Sequence, residues 1–174
     1  MTNTLGIIKQ ILDKELNLPT GRCFAYNSEI DLPKDNDIFI CLYYAGKSPY
    51  SNKSVTKSTE GGFVEIQTMN VREDIEIAIC SRNIQARERC HEVLMALRSN
   101  YSQQIQEKNA LHISNISEIF DNSFLESTAR LNRFDTRISV MRSYEKINNI
   151  EYYDKFSGQV TVENNYNDTL TSDV

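Results

Sequence analysis

Hydrophobic and polar positions alternate most regularly between residues 62 and 99. From Gly62 to Asn70 every second residue shares a side, with Val64, Ile66 and Thr68 together. After Arg72-Glu73-Asp74 the alternation returns, with Ile75, Ile77 and Ile79 on one face and Glu76, Ala78 and Cys80 on the other. The period then changes to that of a helix, because Ile84, Ala86, Cys90, Val93, Leu94 and Leu97 fall on one stripe. Residues 62–81 therefore predict one bent strand or two adjoining ones. A helix follows from Asn83, a candidate N-cap, to about Asn100. Its outer face carries Arg82, Gln85, Arg87, Glu88, Arg89, Glu92 and Arg98, a solvated face or one suited to an acidic partner.

The flanking segments supply the rest of an α+β fold. Leu5, Ile8, Leu12 and Leu16, widened by Ile7 and Ile11, predict a first helix over 3–17, with Thr4 as its cap and Pro19 as its stop. A short strand is expected at Arg22–Tyr26. Ile38–Tyr44 is apolar on both sides and reads as a strand buried on both faces. Residues 45–61 are polar, and strands flank them, so they predict a long loop projecting from a β-hairpin. Leu111–Ile116 reads as a strand, with Phe124 and Leu125 as packing residues beyond it. The cleanest strand is 133–144, where Phe134, Thr136, Ile138 and Val140 oppose Asp135, Arg137, Ser139 and Met141, as in a sheet with one covered face. The expected architecture is a small, mostly antiparallel, twisted sheet with helices packed on one face. Residues 1–145 would form the domain and 146–174 an extended C-terminal arm, with Tyr152, Tyr153 and Phe156 in an aromatic cluster and Gln159–Val162 as a last strand. Such an arm would be ordered by adding a strand to a neighbour's sheet edge.

Composition changes this picture mainly by exclusion. The net charge of −5 over 174 residues argues against a nucleic-acid binder that works by neutralising phosphate. No stretch approaches the roughly 20 apolar residues of a membrane helix, and the N-terminus does not read as a signal peptide. Cys23, Cys41, Cys80 and Cys90 lack metal-ligand spacing and read as buried small hydrophobes in a reducing compartment. His91 and His112 have no ligand partner three or four residues away beyond a weak carboxylate candidate at Glu88, so no metal site is expected. Gly61-Gly62 precedes a strand and is not a phosphate loop, and no cofactor is expected. Asp74 with Glu76, and Glu73 with Glu65, are the carboxylate pairs an acid–base mechanism would need; solvation or pairing with arginine is the plainer expectation. The chain does not read as an enzyme. One basic feature stands out: Lys47, Lys53 and Lys57 lie in the polar stretch, against Glu60 alone.

With the elements in order, the chain resembles the neck and tail-terminator (tail-completion) proteins of tailed bacteriophages. Three parts carry the resemblance across residues 4–155. They are the N-terminal amphipathic helix followed by Ile38–Tyr44; the strand Asp74–Ile79 running into Ile84–Glu88 and the Leu-rich end Val93–Leu97; and the late strand opening on Arg133-Phe134-Asp135. The polar segment after 156 has no counterpart in the pattern.

The resemblance implies a structural virion protein, assembled in the host cytoplasm and resident in the tail or neck. Such proteins form a ring, usually a hexamer, that terminates the tail tube and joins it to the head. The implied partners are further copies of the chain, the tail tube protein, a neck or head-completion protein and the sheath. DNA passes through the lumen without specific binding, which suits an acidic chain, and no membrane is involved. A subunit or partner interface is expected at Lys47, Lys53, Lys57, Tyr152, Tyr153 and Phe156. The alternatives are a head-completion or other neck connector protein, and a small soluble module that binds a partner through 47–57.

Overall fold

The structure is a computed structural model that describes residues 3–25, 33–59, 62–126 and 129–150. It begins with α1 (Thr4–Glu15), whose leucines and isoleucines at spacings of three and four put Leu5, Ile7, Ile8, Ile11 and Leu12 on one buried stripe. The cap is Asn3, not Thr4: the Asn3 side chain accepts from the Leu5 amide. β1 (Cys23–Ala25) runs parallel to the start of β2 (Phe39–Thr59), and β2 pairs antiparallel with β3 (Gly62–Ser81). Two helices follow, α2 (Gln85–Leu97) and α3 (Asn100–Lys108). The chain then lays β4 (Leu111–Ile116), β5 (Phe120–Asp121) and β6 (Phe124–Glu126) in succession along β7 (Ala129–Ile150). The strand order is β1-β2-β3-β7-β4, with β5 and β6 also on β7, an open seven-stranded sheet that is antiparallel except at β1. The α+β class expected from the sequence is the observed one.

The register explains the core. Ile40 faces Ile79, which faces Phe134; Leu42 faces Ile77, which faces Thr136; Ile75 faces Ile138. These side chains share one face, and α1, α2 and α3 bury Leu12, Val93, Leu97 and Ile105 in the same cluster. Each such side chain contributes about 1.5–3 kcal/mol by leaving water. The opposite face has a smaller cluster at Phe39, Cys41, Ala78, Cys80 and Leu131. Residues 38–42 are thus buried on both sides, as their unbroken apolar run implies.

Several expectations are corrected. Residues 45–59 are not a loop but the outer two-thirds of β2, paired to β3 as far as Thr59↔Gly62. The predicted single helix to Asn100 ends at Leu97, and α3 follows with Ser99 as its cap. Asn83 still serves the start of α2, since its Oδ1 accepts from the Gln85 amide at 2.9 Å. Ile84, Phe124 and Leu125 are exposed instead of packed. Strand β7 continues through Ile150, so residues 146–150 belong to the sheet; the rest of the expected arm lies outside the described residues.

Candidate interaction surface

The sheet is far longer than its helical cover. Residues 46–59 of β2, 62–70 of β3 and 143–150 of β7 continue as a three-stranded ribbon in which no described residue is buried. At about 3.3 Å per residue the β2 part spans roughly 45 Å. One face carries Lys53, Val55 and Lys57 on β2, opposite Thr68, Ile66 and Val64 on β3, and these oppose Glu145, Ile147 and Asn149 on β7. Val55, Ile66 and Ile147 make a cross-strand apolar row on that open face, and Ile147 is 63% exposed. The other face is mostly polar, with Asn52, Ser54 and Thr56 over Met69, Gln67 and Glu65; the Ser54 hydroxyl donates to Glu65 at 2.5 Å.

Both edges of the ribbon are open among the described residues. The only strand beside the outer edge of β2 is β1, at residues 40–42, and the last residue of β7 paired to β4 is Arg142. An open edge presents unpaired amides and carbonyls that can template another strand. Near its root β2 is irregular, with register shifts between Tyr44 and Gly46 and between Pro49 and Ser51. From Ser51 to Thr59 its register is unbroken.

A buried polar cluster anchors the ribbon to the body. Glu73 occupies a core position of the β3 alternation, in line with Ile75, Ile77 and Ile79, and is 2% exposed. Tyr144 of β7 donates to its Oε1 at 2.5 Å, and the Lys47 ammonium stands 3.2 Å from the same oxygen and 4.0 Å over the Tyr144 ring. Arg142 also lies over that ring, 5.4 Å from its centroid, and its Nη1 donates to the Thr4 hydroxyl at 3.3 Å. Burial would push the Glu73 carboxyl up, but the hydroxyls of Thr4 and Tyr144 and the Lys47 ammonium outweigh it and hold it below the ordinary carboxylate value. Burial, then the nearby Glu73 carboxylate, pushes the Tyr44 phenol up.

The other carboxylates of the central strands are paired. Glu76 sits 3.3 Å from Arg133 and 3.4 Å from Arg137. Asp135 binds Arg133 at 2.8 Å and accepts from Asn122 at 2.7 Å. Asp74 accepts from the Ser139 hydroxyl at 2.7 Å. The Asp74 and Glu76 carboxylates are thus occupied, and Glu65 and Glu73 lie eight residues apart on β3, so neither sequence-level pair is brought together as an acid–base dyad. Among the described residues no three His, Cys, Asp or Glu side chains cluster as metal ligands. His91 is exposed on α2 and His112 exposed on β4. The four cysteines are free; Cys23, Cys41 and Cys80 are buried, and burial raises the Cys23 and Cys80 thiols to about 12.

Of the predicted interface residues, Lys53 and Lys57 share a ribbon face and make no ion pair among the described residues. Lys47 is held apart from them, turned onto Glu73 and Tyr144. Tyr152, Tyr153 and Phe156 lie outside the described residues. The sequence pattern did not single out Tyr144 or Ile147, and it offered Thr4 as a helix cap, not as the partner of Arg142. Glu73 did carry a signal, as a carboxylate standing where the alternation calls for isoleucine. No family model and no curated protein sequence matches the chain, and no helix of the described residues is long and apolar enough to cross a membrane.

Proposed function

We propose that the chain is a structural subunit that assembles with copies of itself into a ring, acting as a tail terminator at the junction between a phage tail tube and the neck. The observation that carries this reading is the ribbon: three strands extend past the core with, among the described residues, two wet faces and two open edges. A three-stranded sheet gains independent stability from a buried face, and this ribbon's apolar row at Val55, Ile66 and Ile147 has none among the described residues. A heterologous contact that closes on itself would supply cover to every copy alike. Paired carboxylates and separated histidines fit a role made of surfaces and copy number, not of bond-breaking chemistry. Acidic overall charge would keep DNA from sticking in the lumen.

Native mass spectrometry and negative-stain electron microscopy of the full chain test the reading. The expected result is one closed ring species, with binding to a tail tube end. A chain that stays monomeric at high micromolar concentration would sink it. A ring that binds a portal or connector and ignores the tube would instead favour the head-completion reading. A chain that binds nucleic acid as a monomer through Lys53 and Lys57 would favour the small binding module.

A further inference from the structure

We propose that the open edge of β2 between Ser51 and Thr59 receives the C-terminal segment, residues 151–174, of a second copy. The inference rests on the ring reading and names its contact. Closer to the body, the two register shifts and Pro49, which has no N–H, spoil the edge as a template. Ser51–Thr59 is the regular part.

Charge and reach select the occupant. Residues 43–59 contain Lys47, Lys53 and Lys57 and no carboxylate. Lys47 is committed to Glu73, which leaves Lys53 and Lys57 to meet a partner. Residues 151–174 contain Glu151, Asp154, Glu163, Asp168 and Asp173 against Lys155 alone. Gln159-Val160-Thr161-Val162 supplies the branched residues a strand favours. The segment departs from Ile150, which pairs with Phe63 at the far end of the ribbon. At about 3.3 Å per residue it can extend roughly 80 Å. Its own β2 edge lies across the ribbon, two strand spacings or about 10 Å away, so pairing there would require the segment to cross the ribbon first. Donating the segment to the next copy avoids that crossing and makes a head-to-tail contact that propagates around a ring.

Charge exchange in the full chain tests this. K53E/K57E changes only exposed ribbon positions, and E163K/D168K changes only the segment. Each variant alone is expected to assemble at least tenfold more weakly than the wild type in sedimentation velocity, with unchanged circular dichroism. Mixed one to one, they should assemble like the wild type, because the carboxylates introduced at 53 and 57 then meet the lysines introduced at 163 and 168, while Lys53 and Lys57 of the other variant meet Glu163 and Asp168. Wild-type rings with both variants assembling normally would overturn the inference and leave the ring reading standing. So would weakened variants that the mixture fails to rescue, since pairing within one chain cannot be complemented by another. A monomeric wild type would overturn both.

Discussion

Glu73 shows how one residue ties the ribbon to the body. It stands on the covered face where the helices end, and it links β3 to β7 through Tyr144 and to β2 through Lys47. A charge buried this deeply is tolerated because its partners are a cation and hydroxyls. Glu73→Gln keeps the shape but leaves Lys47 without its carboxylate and Tyr144 without a charged acceptor. Loss of a charged, buried hydrogen bond costs about 1–3 kcal/mol, so urea unfolding at pH 7 should show a destabilisation of that order. The pH dependence follows from the depressed carboxyl. A group whose folded value lies below its unfolded value of about 4.3 stabilises above that value and loses the contribution as pH falls through the folded one. The gap between wild type and E73Q should therefore be full at pH 7 and pH 5 and shrink towards pH 3. A gap equally wide at pH 3 would show that the charge is not what holds the site. The thiols give a second check. Cys23, Cys41 and Cys80 are buried and pushed up, whereas Cys90 is half-buried. Native alkylation at pH 8 should label Cys90 first, and equal labelling of all four would contradict the packing.

At the scale of elements, the strands were legible wherever at least one face is covered. The isoleucine alternation of 75–79 and the set Phe134, Thr136, Ile138 and Val140 follow the observed register. The stripe of α1 was equally plain. The polar part of β2 was not legible, because both of its faces are wet and Lys-Ser-Pro-Tyr-Ser-Asn reads as loop chemistry. Its strand character comes from its pairing with β3, which no local pattern encodes. Helix α3 hid for a related reason. Its buried side includes Ser102 and Gln106, and Gln106 is held by the Ser102 hydroxyl at 3.0 Å while accepting from the Ile113 amide at 2.8 Å. A helix packed through polar groups leaves no apolar stripe. This division of the sheet has a dynamic consequence, because segments that bury nothing open most readily. In hydrogen exchange on the dilute chain, amides of 51–59 and 144–150 should exchange well before those of 39–42, 75–79 and 134–140. Equal protection throughout would mean that the ribbon is covered even in a single subunit.

At the scale of the molecule, charge is unevenly placed. Lys47, Lys53, Lys57 and Lys146 against Glu65 and Glu145 leave the ribbon at +2, and with a total of −5 the remainder stands at −7. A basic extension on an acidic particle attracts the next copy and repels its own kind, which favours head-to-tail contact over ribbon-to-ribbon pairing. The Val55, Ile66 and Ile147 row would favour association as well, but without preference for direction. Salt separates the two contributions. Exposed charge pairs are screened over about 10 Å at 0.1 M salt and over about 3 Å at 1 M, whereas apolar burial is not weakened by screening. If Lys53 and Lys57 direct assembly, two exposed pairs at up to about 1 kcal/mol each give roughly a tenfold weaker association between 50 and 500 mM sodium chloride. Light scattering behind size exclusion should then show the ring giving way to smaller species as salt rises. A ring that is indifferent to salt, or tightened by it, would assign assembly to the apolar row and leave the lysines a solubilising role.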